Sequence, residues 1–409
     1  MNKRSELMKI ANSIKIILPI FFITIANVLA TETISEFPTP LHVPAQTCAA
    51  CHKNIYAQWK ASMHSRSAPG QDPVVSAIYQ EMVGSPEQEG LRLSGEYPAC
   101  LKCHAPNAAK EQKTKLDQFN YAEGVNCVTC HVLERFHGMQ DKQGQQLYGL
   151  DAYQVSATHL QGPSGRYLSP REDAQHPFPI KPNPGMLRTS QVCLGCHGAY
   201  KNADGVALYQ TGEEYLAGGE NQATCQSCHM PKTNGETNHE IMAAHNDAVL
   251  TRAIVINLSP ELKQESIQLK IDLRNTMPHR FPTGSPFRQA YLKVTAYAED
   301  GELVWSNYSN YPPDFSQSPE AVFAYQLADK NGKPVMAYQA SQVQKDTRFQ
   351  AFEKRQLHYS LPRDKVYLIR TELLYHMLTQ DVITAHGEKF SGNLINPAVA
   401  AINEIKIAK

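Results

Sequence analysis

One pattern is written five times in this chain: Cys48-Ala-Ala-Cys51-His52, Cys100-Leu-Lys-Cys103-His104, Cys127-Val-Thr-Cys130-His131, Cys193-Leu-Gly-Cys196-His197 and Cys225-Gln-Ser-Cys228-His229. The five copies use all 10 cysteines of the 409 residues. C-x-x-C-H is the attachment signature of c-type haem. Two cysteines three apart share one face of a helical turn and can form thioethers to both vinyl groups of one porphyrin. The adjoining histidine then turns its imidazole onto the iron as the proximal ligand. Zinc would take two such pairs per ion, so five is the wrong number, and it gives no reason for a histidine after each. A thioredoxin-like site needs one pair beside a βαβ pattern. Disulfides leave the histidines unexplained. The sequence therefore predicts five covalently bound haem c groups, with proximal ligands His52, His104, His131, His197 and His229.

Working outward, the segment ahead of the first motif reads as an export signal. Lys3, Arg4, Lys9 and Lys15 form a basic region, 16–30 is apolar, and Val28-Leu29-Ala30 ends in a small residue. Fifteen apolar residues fall short of the ~20 that span a bilayer, so 1–30 is expected to be a signal peptide cleaved after Ala30. Its removal leaves 35 basic and 38 acidic side chains, a net charge of −3. Haem propionates would make the loaded protein more acidic still, favouring basic redox partners. No electrostatic footprint for nucleic acid exists. No later run is apolar enough to cross a membrane, so the mature chain is expected in the periplasm or at the cell surface. At 19% charged residues it is too apolar for wholesale disorder, and 10 cysteines are too sparse for a disulfide scaffold.

The five motifs occupy Cys48 to His229, a density at which porphyrin makes much of the core. Residues 161–192, with prolines at 163, 170, 177, 179, 182 and 184, read as an extended crossing and not a helix. No strand is evident before about residue 250. The periodicity then changes: in Ser266–Asn275, Ile267, Leu269, Ile271 and Leu273 alternate with polar residues, as in a half-buried strand. Leu292, Val294, Ala296 and Ala298 alternate likewise, and Asp300-Gly301 turns the chain into Leu303 and Trp305. Ala253–Leu258, Arg355–Tyr359 and Val366–Tyr375 add strands. The expected fold class is α+β: a mainly helical and loop pentahaem module over 31–250, then an antiparallel β-sandwich over 251–409.

Eleven histidines lie outside the motifs. Ile55, Trp59 and Met63 are spaced as on a helix, which would set His64 ~18 Å from His52. His64 would then serve a neighbouring haem. His279 lies in a loop stiffened by Pro278 and Pro282, with a turn at Gly284, between two predicted strands. It is expected to reach back to a haem as distal ligand, with Arg280 or Arg288 pairing with a propionate.

Cys48-Ala-Ala-Cys51-His52 followed by Tyr56, Trp59, Ser62 and His64 resembles the first-haem motif of the cytochrome c-554 family, related more distantly to hydroxylamine oxidoreductase and multihaem nitrite reductases. Gly124-Val125-Asn126 before Cys127, His176 ahead of Ser190, Cys228-His229-Met230-Pro231, and His239 with His245 are similar too. His279-Arg280-Phe281-Pro282-Thr283-Gly284 resembles a loop of β-domains fused to such modules. The resemblance implies His64, His176 and His245 as distal ligands, with His239 and His137 competing for another iron. The chain departs from the family type in having five motifs for four, and Ala243-Ala244 beside His245.

Three functions fit these residues. An electron carrier between redox protein partners needs irons ligated on both faces, which the many distal candidates favour. A reductase of a small nitrogen or sulfur oxyanion needs one five-coordinate haem with proton donors; no C-x-x-C-K motif is present. A third reading is a homo-oligomer or filament with haems running from copy to copy. The carrier is preferred, with no catalytic residue assigned. Intact mass should exceed the 379-residue polypeptide by five haem masses. Expression without a c-haem maturation system should give unfolded or degraded protein; a well-folded apoprotein contradicts the reading.

Overall fold

The computed structural model describes residues 37–88, 97–163, 176–219 and 223–408. The leader expected over 1–30 lies outside the described residues. No described helix is long and apolar enough to cross a membrane.

The motif-bearing part is built from short helices: Ala45–Ala49, Leu101–His104, Cys127–His131, Gln191–His197 and Cys225–His229 each carry a motif or part of one. Helices of one or two turns are unstable alone in water, so packing must hold them. The turn Cys127–His131 has a capping box, with Thr129 N–H donating to Asn126 Oδ1 at 3.2 Å and Asn126 N–H to Thr129 Oγ1 at 3.2 Å. The helix after the first motif runs Lys53–Ala61 and stops at Ser62, and a 3-10 turn carries His64.

Two expectations need correction here. Among the described residues, four two-stranded ribbons lie before residue 250, including Leu133–Phe136 with Tyr153–Val155 and the parallel pair Leu160–Gly162 with Ile180–Pro182. Strands of two to four residues are too short to show a period of two. The proline-rich stretch also includes a helical turn, Pro184–Leu187, where proline stands at the first position and Asn183 caps Met186 N–H.

Beyond residue 250 the chain forms nine strands: β1 (Ile254–Leu262), β2 (Ser266–Asn275), β3 (Gln289–Tyr297), β4 (Leu303–Ser306), β5 (Val322–Ala328), β6 (Gln342–Asp346), β7 (Lys354–Pro362), β8 (Leu368–His376) and β9 (Ala398–Lys406). One antiparallel sheet has the order β7-β2-β1; the other runs β6-β5-β3-β8-β9, with β4 also on β3. β2 has the predicted boundaries, and Ile267, Leu269, Ile271 and Leu273 are at most 1% exposed. Each such side chain contributes roughly 2 kcal/mol of burial. Across the layer they meet the core that includes Ala290, Leu292, Val294, Ile369 and Leu373. The Asp300-Gly301 turn joins β3 to β4, with Gly301 at φ +88°.

The helical part and the sheets meet through a buried ion pair. Glu214, in the helix Thr211–Ala217, lies 3.2 Å from Arg348, and both side chains are at most 5% exposed. Glu214 also accepts from Thr283 Oγ1 at 2.6 Å and from Arg280 N–H at 3.2 Å, while Arg348 reaches Asp346 at 2.9 Å. Breaking a buried pair leaves an uncompensated charge. Glu214→Ala should cost about 3 kcal/mol in denaturant unfolding of the holoprotein; a loss below about 1 kcal/mol would show that the pair is replaceable.

Candidate haem sites

The motifs are pinned to one another by backbone. Val125 N–H donates to His64 carbonyl at 3.0 Å, and Trp59 Nε1–H to Val125 carbonyl at 2.8 Å. Gly124 sits at φ +70°, and a Cβ there would lie 2.4 Å from His64 oxygen, so only glycine permits this approach. Gly149 is tighter: at φ +57° a Cβ would stand 1.7 Å from the Lys102 carbonyl oxygen inside the second motif. Four residues on, Tyr153 holds the fourth motif, accepting from Gly195 N–H at 2.8 Å and donating to Gln191 carbonyl at 2.9 Å.

Backbone carbonyls also aim the imidazoles. His104 Nδ1 meets Ser67 carbonyl at 3.0 Å, His131 Nδ1 meets Gln161 carbonyl at 2.7 Å, and His229 Nδ1 meets Met242 carbonyl at 2.5 Å. A carbonyl only accepts, so each Nδ1 carries the proton and Nε2 keeps its lone pair for a metal. His239 and His279 are held the same way, by Thr237 carbonyl at 2.8 Å and Arg280 carbonyl at 2.9 Å.

Three histidines from motifs face three from elsewhere. His52 and His176 have ring centroids 6.1 Å apart, His64 and His197 6.0 Å, and His229 and His279 6.4 Å. A metal–imidazole bond of about 2.0 Å on each side of one ion, plus the nitrogen-to-centroid distance, sets trans imidazole centroids about 6 Å apart. These pairs fit the two faces of a porphyrin iron. Among the described residues no three of His, Cys, Asp and Glu gather as they would around a bare ion. His131 is held low by burial, with His239 and His52 as further cationic neighbours. His104 and His245 both feel the Asp72 carboxylate.

Burial governs the electrostatics. It takes His64 and His245 down to about 4 and His197 down to about 3. His104 adds to the effect on His64, and Arg288 to that on His245. His197 nonetheless retains exposed surface. His64 Nδ1 is buried and has no hydrogen-bond partner in the structure.

The thiols meet between motifs. Cys48 and Cys127, Cys103 and Cys196, and Cys193 and Cys225 are close enough to shift one another's ionisation, and Cys130 acts electrostatically on Cys193 and Cys196. The attachment points thus lie in the order first, third, fourth, fifth, with the second beside the fourth.

Other histidines are engaged elsewhere. His137 is exposed at the end of a short strand. His159 pairs with Glu134 at 3.1 Å, His42 with Glu111 at 2.7 Å, and His376 stacks on Tyr291. Of the two expected propionate partners, Arg280 has its guanidinium 2.8 Å from Asp346. Arg288 donates to Thr283 carbonyl at 2.9 Å and acts on His197, His245 and His279. The carbonyls of Ser67, Gln161 and Met242 carry no signal in side-chain sequence.

Paired imidazoles beside paired cysteines, on short helices joined to a sandwich, define a multihaem c-type cytochrome acting in electron transfer. The family model for cytochrome c554 and c-prime matches residues 47–132. The crystal structure of a penta-haem cytochrome c552 from Thermochromatium tepidum is 40% identical, covering 90% of this chain and 100% of its own, with a TM-score of 0.83. The chain belongs to the family of that cytochrome. A β-glucosidase from Kluyveromyces marxianus aligns at 9% identity over 38% of this chain and 14% of its own, with a TM-score of 0.16 that bears on nothing. No curated protein matches the chain.

His279→Ala removes one ring of the pair with His229. Electron paramagnetic resonance of the ferric protein should gain one haem equivalent of high-spin signal, and the sheet part should become easier to cleave. An unchanged low-spin spectrum would reduce His279 to a turn residue.

Proposed function

We propose that the chain is an extracytoplasmic pentahaem electron carrier in which every iron is held by two histidines. The observation that carries this reading is the set of imidazole pairs 6.0–6.4 Å apart. The pairings are His52 with His176, His104 with His245, His131 with His239, His197 with His64, and His229 with His279. Thioethers form at Cys48 and Cys51, Cys100 and Cys103, Cys127 and Cys130, Cys193 and Cys196, and Cys225 and Cys228. The exposed position of His137 favours His239 in its place. The second and third pairings rest on the shared influence of Asp72 and on the influence of His239 on His131.

The haems supply the one-electron valence change; the chain's residues hold them in place and set their surroundings. An iron with imidazole on both faces has no open position for substrate. Arg288, close to three of the proposed ligands, is the propionate partner the structure favours, because Asp346 takes Arg280. We place the division between the haem and sheet modules near residue 250. The basic and apolar leader supports export to the periplasm or cell surface.

Imidazole on both sides lacks the methionine thioether that raises potentials in cytochromes c. A redox titration should therefore run at low potential in several overlapping steps, with an all-low-spin ferric spectrum. A single high-potential wave, or a high-spin component in the native protein, would sink the carrier reading and revive the reductase.

A further inference from the structure

The exposure of the cysteines differs along the row of attachment points. Cys51 of the first motif and Cys228 of the last are exposed, while the other eight cysteines are half-buried. The ends differ in charge. At the last motif, Leu216, Ala217, Gly218, Gly219, Ala223 and Ser227 are exposed and uncharged. They are tied to the motif through Ser190, whose hydroxyl accepts from Cys225 N–H at 3.1 Å and lies 3.1 Å from Tyr215 Oη.

The first motif is different. From Phe37 to Gln71 there is no Asp or Glu. The helix Lys53–Ala61 turns Trp59 inward and leaves Lys53, Ala57, Lys60 and Ala61 exposed on its outer side, the two lysines seven apart. Arg66 is exposed just beyond, its guanidinium on the Ala61 and Ser62 carbonyls that end the helix. Of the nearby carboxylates, two are engaged. Glu123 is half-buried and accepts from Ala45 N–H at 3.0 Å and Asn126 Nδ2 at 3.0 Å. Asp72 caps the next helix. Glu236 and Glu240 flank His239, whose N–H donates to Gln58 Oε1. Over residues 31–409 the charge is negative, so a 35-residue stretch without a carboxylate that exposes Lys53, Lys60 and Arg66 is a local inversion.

We propose that the outer face of Lys53–Ala61, beside the exposed Cys51, is the docking surface for an acidic redox protein. Ala57 and Ala61 leave the helix surface low enough for close approach, and Lys53 and Lys60 supply the steering charge. Such a surface acts chiefly on encounter rate and orientation, weakening with salt.

The proposal rests on the carrier reading, and the test separates the two. The holoprotein is mixed by stopped flow with reduced flavodoxin, an acidic flavoprotein, and separately with dithionite. Each flavodoxin turnover takes one electron and one proton from the flavin hydroquinone and reduces one ferric iron to ferrous. The second-order rate should fall steeply with ionic strength. In the double variant Lys53→Glu with Lys60→Glu it should fall about tenfold or more at low salt, while Lys232→Glu, beside the last motif, stays within about twofold of wild type. Dithionite reduction and the low-spin spectrum should be the same in all three. Equal flavodoxin rates in wild type and the double variant, or an equal loss in Lys232→Glu, would overturn the docking surface and leave the carrier standing. Failure of the wild type to take electrons from dithionite would overturn both.

Discussion

An iron in a porphyrin has two open faces, and a C-x-x-C-H peptide covers only one of them. In the proposed carrier the second imidazole comes from elsewhere in the chain, and three such pairs are in place. His64, just past the first motif's helix, meets His197 of the fourth motif; His176, ahead of the fourth motif, meets His52 of the first. Each pair closes a long loop, and closing several is costly in chain entropy. Glycines at 124 and 149 allow backbones to touch at the crossings, and carbonyls lock the rings at the angle the metal needs.

Much of this was legible because it is periodic or chemically specific. The five motifs identify their cofactor by residue type and spacing alone, and β2 was readable to the residue because one face is buried and the other wet. β5 was not, since its run Val322-Phe323-Ala324-Tyr325 is buried on both sides and shows no alternation. β6 is exposed throughout, leaving no pattern to read, and β9 opens on the apolar run Ala398-Val399-Ala400-Ala401-Ile402, which does not alternate. The pairing of histidines is a property of long-range folding. Sequence singled out His64, His176 and His279 through local stiffness and family likeness, but could not say which motif each would face. Nor could it see that Arg280 would be taken by a carboxylate from a strand it did not detect.

The sandwich takes part in the site. Its loop between β2 and β3 sends His279 to His229 and Thr283 to Glu214, and Arg348 from beyond β6 closes the same cluster. The sheets thereby fix a ring in the haem part with the rigidity of a two-layer core. Arg288, at the end of the same loop, adds a positive charge near three imidazoles. Two short side chains and one charge thus couple a β-fold to redox centres on helices.

The crossing of the pairs also imposes a timetable on biogenesis. A chain threaded out N-terminus first presents Cys48 and His52 long before His176, and His64 long before His197. In that order early sites have one imidazole in place and the other still to come. The last ring to emerge is His279, after all ten cysteines have passed. Until its second ring emerges, each motif is an open, unlocked peptide, the state in which thioether chemistry has access. The architecture keeps its attachment sites reachable by delaying its own closure.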